Sequence, residues 1–248
     1  MQIYSTIARS FLIAGLLTLS AGVASASGQE ALKEAKELNQ KVVKLYLAGK
    51  YAEALPLAHS ALEFSEKALG SNHTAVGNAL NNLALLYATS GEHGKAEPLY
   101  QRALTIQEQA LGPEHPQVGL VVFNLAELYR KTNAFTKAEP MYRRALAIRE
   151  KALGPDHSDV AITLNNLALL YTTSGEYRKA EPLYQRALAI NERALGLTHP
   201  SVALSLNNLA ELYRTTGQYA KAEPLYQRAL TINEQALGPI HPSVALNL

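Results

Sequence analysis

The chain has 248 residues and a formal net charge of +2, with 23 basic and 21 acidic residues. This balance lacks the basic excess with which a general nucleic-acid binder or an anionic-membrane binder contacts phosphates. The chain has no cysteine, which excludes disulfides and thiol chemistry. We therefore expect neither nucleic acid nor a charged lipid surface as the partner.

Residues 1–26 have the layout of a secretory signal peptide of bacterial type. Arg9 is the only charge before an apolar run of about 13 residues, which is too short to span a bilayer. Ala24 and Ala26 supply the small side chains of a cleavage site. We expect cleavage after Ala26, no stable membrane span afterwards, and export to the periplasm or the medium. An uncleaved membrane anchor is the alternative interpretation.

Most of the remaining chain repeats every 42 residues, with the motifs Asn-Leu-Ala-x-Leu-Tyr and Ala-Glu-Pro-x-Tyr in each copy. A fixed period of this length is typical of stacked supersecondary units and not of a globule with one active site. The residues that mark the period are Gly70, Gly112, Gly154, Gly196 and Gly238, followed by His73, His115, His157, His199 and His241.

Each repeat is predicted to form two helices. Residues 206–213 carry apolar side chains at i, i+3, i+4 and i+7, which is one stripe of a helix that Pro200 can begin. Gly217 suits the left-handed residue that ends this helix, and Asn133 takes its place in one copy. Residues 222–229 give the second helix, with small alanines beside a tyrosine. Pro224 lies about one turn into this helix and predicts a mild bend rather than a break.

The period divides the chain into four parts. Residues 1–26 are the signal peptide, residues 27–70 a degenerate first unit, residues 71–238 four tandem units, and residues 239–248 the start of a further, incomplete unit. The first helix of residues 27–70 is rich in Lys and Glu, as expected for the cap of a repeat stack. Residues 244–248 are mostly apolar, so the chain is either part of a longer array or covers this edge with a partner.

Two motifs carry a resemblance to a known family. Leu-Asn-Asn-Leu-Ala at residues 206–210 and Leu-Gly-Pro-x-His-Pro at residues 237–242, with their copies, resemble tetratricopeptide (TPR) repeats of the 42-residue type typified by kinesin light chain. The resemblance implies an all-α fold, a right-handed α-solenoid of tandem helix-turn-helix units. It also implies a concave groove that binds peptides. A motor-protein role is not implied, because the signal peptide contradicts a cytosolic location.

Asparagines are the candidate binding residues of that groove. In TPR proteins the matching position of the first helix bonds the backbone of a bound peptide, and an amide both donates and accepts. The alternative is a structural asparagine that bonds the neighbouring repeat. The candidates are Asn82, Asn124, Asn166 and Asn208, with the adjacent Asn81, Asn165 and Asn207; Phe123 interrupts the adjacent series.

Two further patterns qualify this groove. TPR domains that clamp a peptide carboxylate carry Lys four residues before the groove asparagine, whereas this chain has Asn78, Leu120, Ile162 and Leu204. The groove should therefore be more apolar and less selective for carboxylates. Charges recur only in alternate copies, which gives either a register for the peptide or simple ion pairs three residues apart. These charged residues are Glu127, Arg130, Glu211 and Arg214.

Nothing in the sequence predicts catalysis, a cofactor or a metal site. Successive histidines of the 42-residue series should lie about 10 Å apart, which is too far for shared ligation of one ion. We interpret them as connector side chains that bond local backbone.

The sequence therefore predicts a non-catalytic protein-interaction module that binds a peptide or protein partner. Two alternatives remain. The chain could be the recognition arm of a larger enzyme or signalling protein, or it could assemble with itself, as a homo-oligomer, through its C-terminal edge.

Overall fold

The computed structural model describes residues 26–237, and it describes side chains for residues 29–236. Within this range the chain is all-α, with helices and turns and no strand. The helices are α1 (Ala26–Leu47), α2 (Tyr51–Leu69), α3 (Thr74–Thr89), α4 (His93–Leu111), α5 (Pro116–Lys131), α6 (Phe135–Leu153), α7 (Ser158–Thr173), α8 (Tyr177–Leu195), α9 (Pro200–Thr215) and α10 (Tyr219–Leu237).

The chain divides into two compact units, one up to Asn133 and one from Ala134 onward. In the first unit α1 pairs with α2 and α3 with α4, while α3 also packs on α2 and α5 packs on α4. In the second unit α7 pairs with α8 and α9 with α10, while α7 also packs on α6 and α9 on α8. Tandem helix hairpins packed in this way are typical of a TPR solenoid.

Histidines begin the first helices. His73 Nδ1 accepts a hydrogen bond of 3.1 Å from the backbone N–H of Ala75, and His115 Nδ1 accepts one of 3.2 Å from Gln117. His157 and His199 cap α7 and α9 in the same way. An N-cap of this kind satisfies a backbone donor that the first helical turn leaves unpaired. The interpretation of these histidines as connector side chains that bond local backbone is confirmed. His241 lies outside the described residues.

The turn between the two helices of a hairpin requires a residue with positive φ. Gly217 has φ of 74°, and Asn133, the one non-glycine in the series, has φ of 58°. Asparagine tolerates this left-handed conformation better than other side chains because its short amide can bond locally. The predicted helix end is therefore confirmed at both residues.

The second helices keep their proline without a break. Pro182 lies inside α8 and Pro224 inside α10, each in the sixth position of the helix. Buried alanines let the two helices approach, and the tyrosine between them fills the core. Tyr100, Tyr142 and Tyr184 are each at most 1% exposed.

The rest of the chain is not described. The predicted signal peptide, except for Ala26, and the predicted incomplete unit lie outside the described residues. Across residues 26–237 no helix has both the length and the apolar character that crossing a bilayer requires.

Candidate peptide-binding face of the first helices

The asparagines lie in the middle of the first helices, between residues that fix those helices in the core. Leu167 and Ala168 of α7 are 2% and 0% exposed, and Leu209 and Ala210 of α9 are 4% and 0% exposed. Burial of these neighbours holds the backbone in place. The position of each asparagine on its helix is therefore set by packing and not by a ligand.

In the first unit the asparagines bond one another across neighbouring first helices. Asn124 Nδ2 donates to Asn81 Oδ1 at 2.9 Å, and both residues are buried, at 8% and 5% exposure. Asn82 Nδ2 donates to Asn39 Oδ1 of α1 at 3.3 Å. These bonds are the ones that the structural alternative expects, since they join a repeat to its neighbour.

In the second unit the same sequence motif is used differently. Asn165 Nδ2 donates to Ser205 Oγ at 3.1 Å and not to another asparagine. Asn166 and Asn208 are only half-buried, and neither makes a side-chain hydrogen bond within the described part of the unit. The groove assignment itself stays a prediction for all seven asparagines.

The alternating charges form ion pairs within their own helices. Arg130 Nη2 lies 3.0 Å from Glu127 Oε2 on α5, and Arg214 Nη2 lies 2.6 Å from Glu211 Oε1 on α9. The α5 pair is mostly buried, with side-chain exposures of 15% and 22%. The bond from Arg214 is the main cause that lowers the pKa of Glu211. A pair three residues apart is what the simpler interpretation expects, and it leaves each carboxylate neutralised locally.

A hydrogen bond to the carboxylate of Glu211 links the two helices of the hairpin α9–α10. Tyr226 of α10 donates its hydroxyl to Glu211 Oε2 at 2.8 Å. Burial, helped by this bond, raises the pKa of Tyr226 to about 12. Glu211 therefore has two donors, which fixes its position beside Asn208 on α9.

Sequence reasoning did not find a polar contact that recurs between successive hairpins. Tyr129 of α5 donates its hydroxyl to Glu97 Oε1 of α4 at 2.8 Å. In the second unit Tyr171 and Tyr213 donate in the same way to Glu139 and Glu181. We call these the Tyr–Glu contacts. The signal was present, because the tyrosine and the glutamate both recur every 42 residues in the two motifs of the repeat.

Within the described part of the chain, the junction between α2 and α3 lacks a Tyr–Glu contact. Leu55 of α2 replaces the glutamate, and the hydroxyl of Tyr87 instead lies 2.8 Å from His59 Nε2. His59 thus has a structural role at the first junction. Among the described residues, no group of three metal-binding side chains is arranged to hold an ion.

A family model described as tetratricopeptide repeat matches residues 43–109, 79–151, 120–193 and 159–235. These matches together cover most of the chain, and the chain belongs to the TPR family. No curated protein matches it. The family is generally a non-enzymatic scaffold for protein–protein interaction.

Among solved structures the chain resembles BtubC (BKLC) from P. vanneervenii, with a TM-score of 0.72 and 27% identity over 88% of this chain and 92% of that chain. A putative kinesin light chain from Podosopora anserina gives a TM-score of 0.69 and 23% identity over 86% of this chain and 99% of that chain. A Rap protein complexed with Competence and Sporulation Factor gives 0.70 and 18% identity over 84% of this chain and 56% of that chain. The last two likenesses show the fold alone. The predicted likeness to kinesin-light-chain TPR proteins is confirmed.

Proposed function

We propose that the chain is a non-catalytic interaction module that binds an extended peptide segment of a partner along the first helices of its second unit. The observation that carries this proposal is the pair of half-buried amides of Asn166 and Asn208, which have no hydrogen-bond partner among the described residues. Buried amides are normally bonded, and a half-buried amide without a protein partner can bond a ligand. A peptide backbone supplies both the donor and the acceptor that such an amide needs.

The neighbours of these amides indicate the chemistry of the peptide. Ile162 lies one turn before Asn166, and Leu204 lies one turn before Asn208, and both are half-buried. Leu169 follows Asn166 at three residues and is also half-buried. Such neighbours favour a peptide with apolar side chains, and they offer no cation for a terminal carboxylate.

The comparison structures support this use of the fold without identifying the partner. One of them is a Rap protein complexed with Competence and Sporulation Factor. For this chain we infer a peptide or protein partner.

The test uses the full chain after removal of residues 1–26 and a phage-displayed library of random peptides. Peptides selected on this chain are measured by titration calorimetry on the chain and on its Asn166→Ala/Asn208→Ala variant. Each lost hydrogen bond is worth about 0.5–1.5 kcal/mol net, so the double variant should bind about tenfold more weakly.

Asn82→Ala is the matched control, since Asn82 already bonds Asn39. It should change the affinity much less than the double variant. Equal affinity for the chain and the double variant would move the binding site off these two helices.

Export is a separate part of the proposal. It rests on the sequence of residues 1–26 alone. Intact-mass measurement of the protein from the culture medium or periplasm should show a chain that begins at Ser27. A full-length mass confined to the membrane fraction contradicts it.

A further inference from the structure

In each described hairpin the second helix buries one polar residue at the same position. All five are at most 5% exposed, although the positions around them repeat nearly unchanged from copy to copy. A buried polar group must find a hydrogen bond, or it destabilises the fold. The residues, spaced by 42, are Ser65, Gln107, Arg149, Asn191 and Asn233.

In α6 and α8 this residue bonds the first helix of the following hairpin. Arg149 Nη1 of α6 donates to Thr163 Oγ1 of α7 at 2.7 Å, and it also lies 3.2 Å from the carbonyl oxygen of Asp159. Asn191 Nδ2 of α8 donates to Ser205 Oγ of α9 at 2.9 Å. In both cases the hydroxyl lies fourteen residues after the donor.

In the first unit the bonds run elsewhere. Gln107 Nε2 of α4 turns back to its own hairpin and donates to Asn78 Oδ1 of α3 at 2.7 Å. Gly77 makes room for it, because a Cβ at this residue would lie 2.9 Å from Gln107 Nε2. Ser65 donates to the carbonyl oxygen of Ala61 in its own helix.

The position fourteen residues later changes accordingly. It is a hydroxyl residue, Thr163 or Ser205, where the donor reaches forward. It is apolar, Ala79 or Val121, where the donor does not. The two positions therefore vary together inside one chain, and each junction between hairpins has its own pair.

The apolar contacts do not distinguish the two hairpins α7–α8 and α9–α10 of the second unit. In α7 and α8, Val160, Ala161 and Leu164 pack with Ala187 and Ile190. In α9 and α10, the same five residue types form the same cluster, made by Val202, Ala203, Leu206, Ala229 and Ile232.

We infer that the buried pairs Arg149–Thr163 and Asn191–Ser205 are stacking determinants that specify which hairpin packs on which. A hairpin stacked out of order, within one chain or on a second chain, would place Arg149 opposite Ser205 or Asn191 opposite Thr163, so that a buried donor of the wrong length faces the hydroxyl. Misassembly of hairpins out of order is a characteristic failure of repeat proteins. A single buried polar residue can fix register in this way, as in coiled coils.

The experiment makes the two junctions identical. Arg149→Asn with Thr163→Ser gives the α6–α7 junction the same pair as the α8–α9 junction. Thr163→Ser alone is the matched control, because Arg149 keeps the two junctions distinct. A third variant exchanges the pairs, with Arg149→Asn, Thr163→Ser, Asn191→Arg and Ser205→Thr. The full chain and each variant are unfolded in urea, refolded at several concentrations, and measured by size-exclusion chromatography with light scattering.

We expect the identical-pair variant to refold with a dimer and oligomer fraction about tenfold above that of the wild-type chain. In the wild-type chain a wrongly stacked hairpin loses about one buried hydrogen bond relative to the native order, and in this variant it does not. The Thr163→Ser control should refold like the wild-type chain. If the identical-pair variant refolds as monomeric as this control, the inference is wrong.

The exchanged variant carries the same Arg149→Asn change and should return to the wild-type fraction. Misassembly of the exchanged variant to the same extent as the identical-pair variant overturns the inference, because distinctness would then not be what matters. If the exchanged variant does not fold, Asn191→Arg/Ser205→Thr replaces it as a second identical-pair variant, with Ser205→Thr alone as its control. Equal monomer fractions for that variant and its control also overturn the inference.

Discussion

The first helices of the two units carry the same motif and use it in opposite ways. In α3 and α5 the asparagine amides are bonded to one another, with Asn124 donating to Asn81. In α7 and α9 the amide of Asn165 instead donates to Ser205, and Asn208 makes no such bond within the described residues. The residue that differs is Ser205, whose counterpart in the first unit is Val121.

The bonding of the asparagines in the two units therefore differs together with one buried hydroxyl. Asn165 Oδ1 has no hydrogen-bond partner among the described residues, so the hydroxyl orients this amide and does not occupy its acceptor. Val121 offers no acceptor to the amide nitrogen of Asn81, and Asn81 Oδ1 accepts from Asn124. Serine takes the amide of Asn165, and it also accepts from Asn191 of α8. The same hydroxyl thus joins α7 and α8 to α9.

The largest effect should follow from Ser205→Val, which places the valine found at residue 121 of the first unit at the matching position of the second. Ser205 is 0% exposed and accepts two amide donors, so its loss leaves both to find other partners. We expect the free energy of unfolding to fall by about 2–3 kcal/mol, as for unpaired buried donors. A urea titration followed by circular dichroism measures it.

Ser205→Thr is the control, since it keeps the hydroxyl and should cost much less. Ser205→Val should also weaken peptide binding, because loss of the hydroxyl releases the amide group of Asn165 to turn its Oδ1, which is unbonded among the described residues, toward Asn208. Unchanged stability in Ser205→Val would mean that the hydroxyl does not organise the two amides.

The next effect compares Asn124→Ala with Asn208→Ala. Asn124 is 8% exposed, and its removal leaves the buried Oδ1 of Asn81 without its donor. We expect a loss of about 1–2 kcal/mol in the free energy of unfolding. Asn208→Ala should cost less than about 0.5 kcal/mol, because a half-buried amide without a partner contributes little. Equal losses in the two variants would contradict the distinction between the bonded Asn124 of the first unit and the Asn208 of the second, which is unbonded within the described residues.

Much of this fold could be predicted from the sequence, because local rules and the repeat period agree. The stripe that contains Leu209 and Tyr213, the turn at Asn133 and the capping histidines each follow from spacing and backbone preference. The bond partners of the asparagines could not be predicted in this way. Asn81 bonds Asn124, whereas its counterpart Asn165 bonds Ser205. This difference depends on contacts between helices about 40 residues apart in the chain, which no local pattern encodes.

The buried polar series was missed for a related reason. Gln107, Arg149 and Asn191 occupy a position where the repeats differ, whereas the period is recognised from positions where they agree. Their co-variation with Val121, Thr163 and Ser205 becomes visible only when the structure shows Arg149 bonded to Thr163 and Asn191 bonded to Ser205. Burial lowers the pKa of Arg149 to about 10, which still leaves the guanidinium charged at neutral pH.

The smallest effect concerns the Tyr–Glu contacts, which also differ between the units. Tyr171 in the second unit donates to Glu139 at 2.7 Å and accepts from Arg143 at 2.7 Å, whereas Tyr87 in the first unit faces His59. Replacement of either tyrosine by Phe should cost about 0.5–1.5 kcal/mol at neutral pH. The two variants should separate when the pH is lowered.

The bond from Tyr171 is the main cause that lowers the pKa of Glu139. A carboxylate with a lowered folded-state pKa stabilises the fold at pH above its ordinary value, and this contribution is lost as the pH falls through the lowered value. The stability difference between the wild-type chain and Tyr171→Phe should therefore shrink in the acid range where Glu139 is protonated. Tyr87→Phe should show no such carboxylate-linked decrease, because its partner at the hydroxyl is His59. Urea titrations of both variants across this range test the comparison, and parallel pH profiles would show that Glu139 does not depend on Tyr171.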